Sequence, residues 1–363
     1  MNLFYLICPI GLEDSVVLEL KLKGLFEQLQ DVNILQGGIE FSCPIEIGLS
    51  LNYLLRCPTR ILLRLKTRKC RDFPKLFKTI GQIPWRQYLV REEVDWRIST
   101  RNSRIINTSK AQEACEKALK KFMHGSPLPK KIKEEFSDSQ LQKVFLRFDA
   151  DELTISLDTS GDLLHIRGER SNRGKASLRE SYASCLLMKL FQNEELPIKN
   201  LVDPMCGTGS FLNEALEFFQ SNNKREFPFL NWPLVKKDNL QKEIPTSMLV
   251  KLCHGLDIEP VAKGSKKLKI LTHDIFNPLS NQKKEEITDN LLICNPPYGK
   301  RVKIPGKKKK YFESLIRQIE TEFRPRKYGI IIPSDVQIPF PKVIPFNNNG
   351  IKVNFCIKEL DFN

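Results

Sequence analysis

The residues best suited to chemistry in this chain lie in two short stretches, each an apolar run that stops abruptly. The first is Leu201-Val202-Asp203-Pro204-Met205-Cys206-Gly207-Thr208-Gly209-Ser210, continuing into Phe211-Leu212-Asn213-Glu214-Ala215-Leu216. An apolar run, a tight turn and a return to apolar spacing predict a buried parallel strand, a loop and a helix start. Gly207 and Gly209 carry no Cβ, so the loop backbone can approach a ligand closely. The loop lies at the carboxyl end of its strand, where open α/β sheets bind ligands. It lacks the Lys-Ser/Thr of a P-loop and is not G-x-G-x-x-G. Alone, it is equally an ordinary strand-to-loop turn.

The second stretch is Leu291-Leu292-Ile293-Cys294 followed at once by Asn295-Pro296-Pro297-Tyr298-Gly299. Pro296 and Pro297 fix φ and remove two backbone donors. The Asn295 side-chain oxygen and the Pro296 carbonyl then stand as acceptors at the end of a stiff strand, beside the Tyr298 ring. Two acceptors and one π-face suit a planar amine. Two further carboxylates end apolar runs, Asp257 after His254-Gly255-Leu256 and Asp274 after the strand expected over 268–271. A strand-ending carboxylate can accept hydrogen bonds from ribose hydroxyls, and it can equally cap the following helix. The segment between them holds Gly264 and little apolar periodicity, and it is short for a parallel crossover. A truncated helix and a shallower pocket are expected there.

The elements that must position these groups are legible in outline. Strand and helix signals alternate over 1–60: strands over 3–7 and 39–41, helices over 12–25 and 44–53. A strand follows at 61–65, a helix at 73–80, a strand at 96–98 before a cationic loop, and a helix over 109–122. Residues 144–148 and 153–157 read as a hairpin around Asp149-Ala150-Asp151-Glu152. Further on come helices over 182–191 and 311–323, a buried strand over 328–333 and a closing hairpin at Asn347-Asn348-Asn349-Gly350.

The 363 residues suffice for two or three domains with sizeable cores. A net charge of +15 favours a polyanionic partner, nucleic acid before membrane, since no long apolar segment is present. Met1 to Gly11 lacks a cationic start and reads as a first strand, not a signal peptide. The 10 cysteines form no C-x-x-C pair, and the 4 histidines share no ligand spacing. The expectation is a reducing, cytoplasmic setting without a metal.

The Gly loop and Asn295-Pro296-Pro297-Tyr298 together resemble motifs I and IV of the S-adenosylmethionine-dependent amino methyltransferases. Three more stretches look like the THUMP-containing branch of the guanine-N2 RNA methyltransferases, and with them the resemblance spans nearly the whole chain. They are Leu55-Arg56-Cys57-Pro58-Thr59-Arg60-Ile61-Leu62-Leu63, Ser99-Thr100-Arg101-Asn102-Ser103, and Leu157-Asp158-Thr159-Ser160-Gly161 with Leu164-His165-Ile166-Arg167-Gly168. The bacterial large-subunit rRNA enzyme, in its N-terminal half, and the tRNA enzymes belong to that branch. The segment around Lys175 to Glu180 and the aromatic stretch Phe227-Pro228-Phe229-Leu230-Asn231-Trp232-Pro233 fit the same pattern. Glu169 departs from it, standing where the family has an aromatic.

The resemblance implies an α/β fold: a Rossmann-like S-adenosylmethionine-dependent methyltransferase domain with a mixed seven-stranded sheet over 164–363. An α+β region would precede it, ferredoxin-like over 1–60 and THUMP, RNA-binding, over 61–163. It implies S-adenosylmethionine as cofactor, held by Asp203, Pro204, Cys206, Gly207, Gly209, Asp257, Asp274 and Asn295. It implies catalysis by Asn295, Pro296, Pro297 and Tyr298. Phosphate contacts are expected from Arg56, Arg60, Arg101 and Arg104, and from Lys300, Arg301, Lys307, Lys308, Lys309 and Lys310 beside the base pocket. A linear charge run is as often a solvated loop. The substrate implied is guanine N2 in structured RNA, ribosomal ahead of transfer RNA. The Asn-Pro-Pro-Tyr group itself also suits adenine N6 or cytosine N4. The rivals are a DNA adenine methyltransferase, a protein-glutamine methyltransferase and an RNA-binding relative without cofactor.

Overall fold

Alternating and continuous apolar runs separate the two halves of the chain, and each half builds one sheet around them. The computed structural model describes residues 1–123, 141–167, 178–222, 225–245, 247–259, 266–299, 304–348 and 350–360. The first half runs β1 (Asn2–Ile7), α1 (Glu13–Leu22), β2 (Gln30–Leu35), β3 (Gly38–Cys43), α2 (Ile45–Leu54), β4 (Arg60–Lys69), α3 (Phe73–Gly81), β5 (Val94–Arg101), α4 (Thr108–Met123), β6 (Gln142–Asp149) and β7 (Glu152–Asp158). Its strands form one seven-stranded sheet in the order β2-β3-β1-β4-β7-β6-β5. β4 is the seam. It pairs antiparallel with β1 and with β7, and its register to β7 shifts between Arg64 and Lys66. The boundary expected at residue 60 therefore falls at the start of a strand in mid-sheet. α4 buries Ala111, Cys115, Ala118 and Leu119, one helical face. Asp72 caps α3 by accepting a 2.7 Å hydrogen bond from the Lys75 amide.

The second half runs α5 (Glu180–Leu190), β8 (Ile198–Asp203), α6 (Ser210–Leu216), β9 (Val250–Asp257), β10 (Leu268–Thr272), α7 (Asn281–Glu286), β11 (Asn290–Cys294), α8 (Lys308–Gln318), β12 (Lys327–Pro333), β13 (Lys342–Asn348) and β14 (Ile351–Glu359). The sheet order is β10-β9-β8-β11-β12-β14-β13. β8 through β12 pair in parallel, and β14 pairs antiparallel with β12 and β13. This is the mixed seven-stranded α/β sheet that the sequence led us to expect. β11 and β12 are buried along their whole length, as strands covered on both faces must be. The strand order reverses between β8 and β11, which is where open α/β sheets place ligands.

Three elements depart from the sequence reading. β2 was not anticipated; it is an edge strand whose residues are mostly exposed, so no burial pattern marks it. α7 is polar and equally without an apolar signal. α8 begins at Lys308, so the last lysines of the charge run are helical. The short crossover from β9 to β10 still brings the strands into parallel register, Leu268 opposite Cys253 and Thr272 opposite Asp257. Among the described residues that crossover contains no helix.

The segment following α6 stitches the halves together. Phe227 meets Tyr53 edge-on at 4.8 Å and Trp232 meets Tyr88 at 5.4 Å between ring centres. Trp232 Nε1 donates to Gln142 Oε1 at 2.8 Å, and the amides of Asn222 and Leu234 donate to the carbonyls of Tyr53 and Gln87. Arg225 donates to the carbonyls of Leu163 and Ser160, both at 2.9 Å. One apolar cluster runs from Phe4 in the first sheet to Phe355 in the second. A separate cluster, with Phe312 and Leu315 of α8, covers the other face of the second sheet. All 10 cysteines are free and buried. Among the described residues no helix is long and apolar enough to cross a membrane.

Candidate active site

Three neighbouring parallel strands end on the same edge of the second sheet, and each delivers one of the motifs. β8 lies between β9 and β11, with Val202 opposite His254 on one side and Leu292 on the other. The Gly loop, Asp257 and Asn295 therefore stand side by side at the carboxyl ends, because register carries each strand's last residue to the same height.

The loop's shape follows from its glycines. Gly207 and Gly209 have φ of +50° and +77°, which side chains resist. A Cβ built on Gly207 would meet nothing within 4 Å, so open space faces the loop there. Gly209 caps α6, and its amide donates to the Cys206 carbonyl at 2.8 Å. The Cys206 amide donates to the Leu256 carbonyl at 2.9 Å, tying the loop to β9. Gly255 makes that approach possible: a Cβ there would stand 2.8 Å from Cys206 Sγ.

The carboxylates are held by backbone amides. Asp257 Oδ2 accepts from the Gly207 amide at 2.8 Å and Oδ1 from the Glu259 amide at 3.1 Å. Each oxygen keeps a second lone pair for a ligand. Asp203 is buried and accepts from the Met205 amide at 3.1 Å. Burial pushes its carboxyl up to about 8, and the neighbouring Asp257 charge adds to the rise. Asp274 is exposed and closes a local turn by accepting from the Phe276 amide at 3.0 Å. The next helix is capped by Ser280 instead, so the helix-cap role falls away from Asp274.

Asn295 is half-buried, Pro296 buried, and Pro297 and Tyr298 half-buried. The Tyr298 hydroxyl donates to Asn295 Oδ1, fixing that side chain with one lone pair remaining. Gly299 follows with φ of +78°, and a Cβ there would lie 3.9 Å from Lys308 Cε. The lysine run thus borders the Asn-Pro-Pro-Tyr turn. Lys307, Lys309 and Lys310 are exposed, while Lys308 pairs with Asp335 at 2.8 Å. Lys300 and Arg301 lie outside the described residues.

The arginines of the first half divide. Arg101 is exposed, and so is Arg104, which stands 3.9 Å from Asp151. Arg56 and Arg60 are not available to phosphate, and that expectation is corrected. Arg56 is 3% exposed and bound to Glu214 at 3.1 Å and Glu217 at 3.4 Å. Arg60 is paired with the buried Asp158 and donates to the Gly161 carbonyl at 2.8 Å. Their charge is neutralised inside the fold, which a linear sequence does not display.

Sequence reasoning missed several supporting residues. Tyr311 of α8 reaches Met205 Sδ at 4.0 Å, and its ring lies 5.8 Å from that of Phe276. It thereby bridges the Gly loop and the turn after Asp274. Glu214 and Arg167 meet at 2.6 Å. The one available signal was a carboxylate inside the apolar run of α6. Among the described residues no group of three or more His, Cys, Asp or Glu side chains could hold a metal ion.

Residues 167–340 match the UPF0020 family, described as RMKL-like, methyltransferase domain. A curated relative, ribosomal RNA large subunit methyltransferase K/L of Marinomonas sp. (strain MWYL1), is 26% identical over 81% of this chain and 43% of its own length. The chain thus spans less than half the length of the curated relatives it matches. A putative methyltransferase, SMU.472, complexed with SAH, superposes with a TM-score of 0.77 at 21% identity, over 100% of this chain and 99% of that one. A possible methylase from Clostridium difficile 630 gives 0.75 at 23% identity, over 100% and 99%. Both share the whole fold, first sheet included. The parallel strands β8 to β12, the Gly loop and the Asn-Pro-Pro-Tyr turn described above all fall within residues 167–340, the stretch that matches the RMKL-like methyltransferase domain.

Proposed function

We propose that the chain is an RNA methyltransferase that uses S-adenosylmethionine to methylate the exocyclic N2 of a guanine in structured RNA, ribosomal RNA first. The observation that carries the reading is the register that sets Asn295-Pro296-Pro297-Tyr298 beside the Gly loop, Leu292 opposite Val202. The name of the Marinomonas relative supports the ribosomal substrate, and the SAH in the SMU.472 structure supports the cofactor.

The residues present fit that cofactor. Open space lies before Gly207, and Asp257 is oriented by two amides with lone pairs to spare for ribose hydroxyls. Gly207, Gly209, Cys206 and Pro204 would form the wall, with Asp203 behind it and Asp274 at the end of the next strand. When bound, the cofactor supplies an electrophilic methyl on its sulfonium. The chain's own task is alignment, which can contribute several kcal/mol, about 7–11 at most.

An exocyclic amine is a poor nucleophile because its lone pair is delocalised into the ring. Asn295 Oδ1 and the Pro296 carbonyl accept its two hydrogens and aim the lone pair out of the ring plane. The Tyr298 ring stacks on the extruded base, worth about 1–3 kcal/mol. That offsets a flipping cost of a few kcal/mol, smaller at an unpaired nucleotide. The alkylated nitrogen sheds its proton readily, so no histidine or paired carboxylate is required as base. The first sheet, with the exposed Arg101 and Arg104, is the RNA-binding platform in this reading, in the THUMP role. Lys307, Lys309 and Lys310 meet the phosphate backbone near the pocket. Cations in the first turn of α8 oppose the helix dipole, at about 0.3–1 kcal/mol each. An external anion would relieve that cost.

The test is methyl transfer from labelled S-adenosylmethionine to separated rRNA and tRNA from cells lacking the gene, with nucleoside analysis. Labelled N2-methylguanosine in one fraction supports the reading and identifies the RNA. Label in N6-methyladenosine overturns the base assignment. No label in either, with Asn295→Ala as the blank, overturns the RNA substrate.

A further inference from the structure

Among the described residues, the most heavily bonded buried carboxylate is not in the site but one turn behind the Gly loop. Glu214 of α6 accepts from Arg167 Nη1 through both oxygens at 2.6 Å, from Arg56 Nη1 at 3.1 Å and from Ser184 Oγ of α5 at 2.5 Å. Its side chain is 6% exposed, that of Arg56 3% and that of Arg167 10%. Arg167 and Arg56 draw the Glu214 carboxyl below its ordinary range despite burial.

The cluster extends into the first half. Arg167 Nη2 donates to the Arg56 carbonyl at 2.7 Å and Nε to the Leu164 carbonyl at 3.1 Å. The amides of Arg56 and Cys57 both donate to Glu19 of α1 at 2.8 Å, and Glu19 pairs with Lys23 at 2.7 Å. Lys23 lies over the Phe218 ring at 4.2 Å, returning the chain of contacts to the end of α6. The Leu164 amide in turn donates to the Thr59 carbonyl at the head of β4.

α6 itself is only Ser210–Leu216. A helix that short is not stable on its own hydrogen bonds. Its cap is Gly209, the loop residue, so the loop holds its shape only as well as α6 holds its place. α6 is anchored by Leu212 in the core and by Glu214 on the two arginines.

We infer that Glu214 is a positioning residue for the cofactor loop: the Arg167–Glu214–Arg56 cluster fixes α6, and through Gly209 the loop, against the first half of the chain. Resting on the S-adenosylmethionine reading above, this makes cofactor affinity depend on residues that touch no cofactor. The cluster holds three charges inside the protein, and neutralising Glu214 removes the carboxylate that both arginines share.

Titration of the full chain with S-adenosylhomocysteine tests it, at a temperature where circular dichroism shows each variant folded. Glu214→Gln keeps the size and the Ser184 contact but loses the charge, and its Kd rises by about tenfold. Arg167→Lys raises Kd by a smaller factor, and the double variant is no weaker than Glu214→Gln alone, because both act through one contact. Asp72→Ala, which removes the α3 cap, lowers Tm and leaves Kd unchanged, separating positioning from general loss of stability. Wild-type Kd in folded Glu214→Gln overturns the inference, as do losses that multiply in the double variant. Should Glu214→Gln not fold, Arg167→Lys decides alone: an unchanged Kd overturns the inference and a raised one supports it. Failure of the wild type to bind would instead overturn the cofactor reading on which the inference rests.

Discussion

The two sheets treat their polar strand ends in opposite ways. In the first, Asp158 at the end of β7 is buried against Arg60, and Arg56, just before β4, is buried against Glu214 and Glu217. In the second, Asp203 and Asp257 are held by the amides of Met205, Gly207 and Glu259, and Asn295 by the Tyr298 hydroxyl. A carboxylate neutralised by an arginine is scaffold. One oriented by neutral donors keeps spare lone pairs for a ligand. On the proposed function, the contrast separates residues that build from residues that would bind more sharply than residue type does.

The largest effect that would sharpen the contrast is at Asn295. Asn295→Ala removes the amine acceptor and leaves the Gly loop untouched. Turnover should fall by about a thousandfold or more, some 4 kcal/mol on the barrier, while the Kd for S-adenosylhomocysteine stays near that of wild type. Turnover that survives would remove Asn295 from the binding class. Next is Arg60→Met, which leaves Asp158 buried without its cation. Unfolding in urea should show a loss of about 3 kcal/mol. Burial already outweighs the Arg60 guanidinium and holds the Asp158 carboxyl above its usual range, so the loss should be smaller at low pH, where Asp158 protonates. An unchanged urea midpoint would return Arg60 to the surface class.

A smaller effect is expected from replacing Lys307, Lys309 and Lys310 by Ser. If each meets a phosphate, the slope of log affinity for RNA against log salt flattens by about 0.7 per lost contact. A slope that does not change assigns the run to solvent. The smallest effect concerns Asp203. Its folded value of about 8 lies above its ordinary 3.8, so folding takes up a proton between those limits. The stability tied to the protonated form is complete below pH 3.8 and is lost as pH rises through 8. His254 works the other way. Burial lowers it from 6.5 to about 4, so its contribution is present above 6.5 and lost as pH falls toward 4. Between pH 6.5 and 8 only Asp203 of this pair acts, and Asp203→Asn should abolish a downward slope of stability against pH in that window. A wild type with no such slope would place Asp203 among the solvated carboxylates.

How much of this was legible beforehand depended on whether a residue's role is local. The β8 loop, the Asn295-Pro296-Pro297-Tyr298 turn and the Asp257 strand end are read from a few consecutive residues, since strand burial and proline stiffness are short-range effects. Arg56 and Arg60 looked like phosphate ligands because a sequence displays charge but not the partner that cancels it, and Glu214 lies 158 positions from Arg56. β2 left no mark because an exposed edge strand has little apolar face to show. The aromatic stretch around Trp232 was recognisable, but what it packs against, Tyr53 and Tyr88, was not.

That aromatic stretch also bears on how a target would be chosen. The hydrogen bonds of Trp232 to Gln142, of Leu234 to Gln87 and of Arg225 to Leu163 and Ser160 lock the first sheet to the second at a fixed span. For an RNA gripped by the first sheet, such a frame works as a caliper. On the proposed function, the nucleotide reaching Tyr298 would be set by its distance along the RNA from the grip, whatever its neighbours spell. Adding one base pair between grip and target should shift the modified position rather than abolish modification.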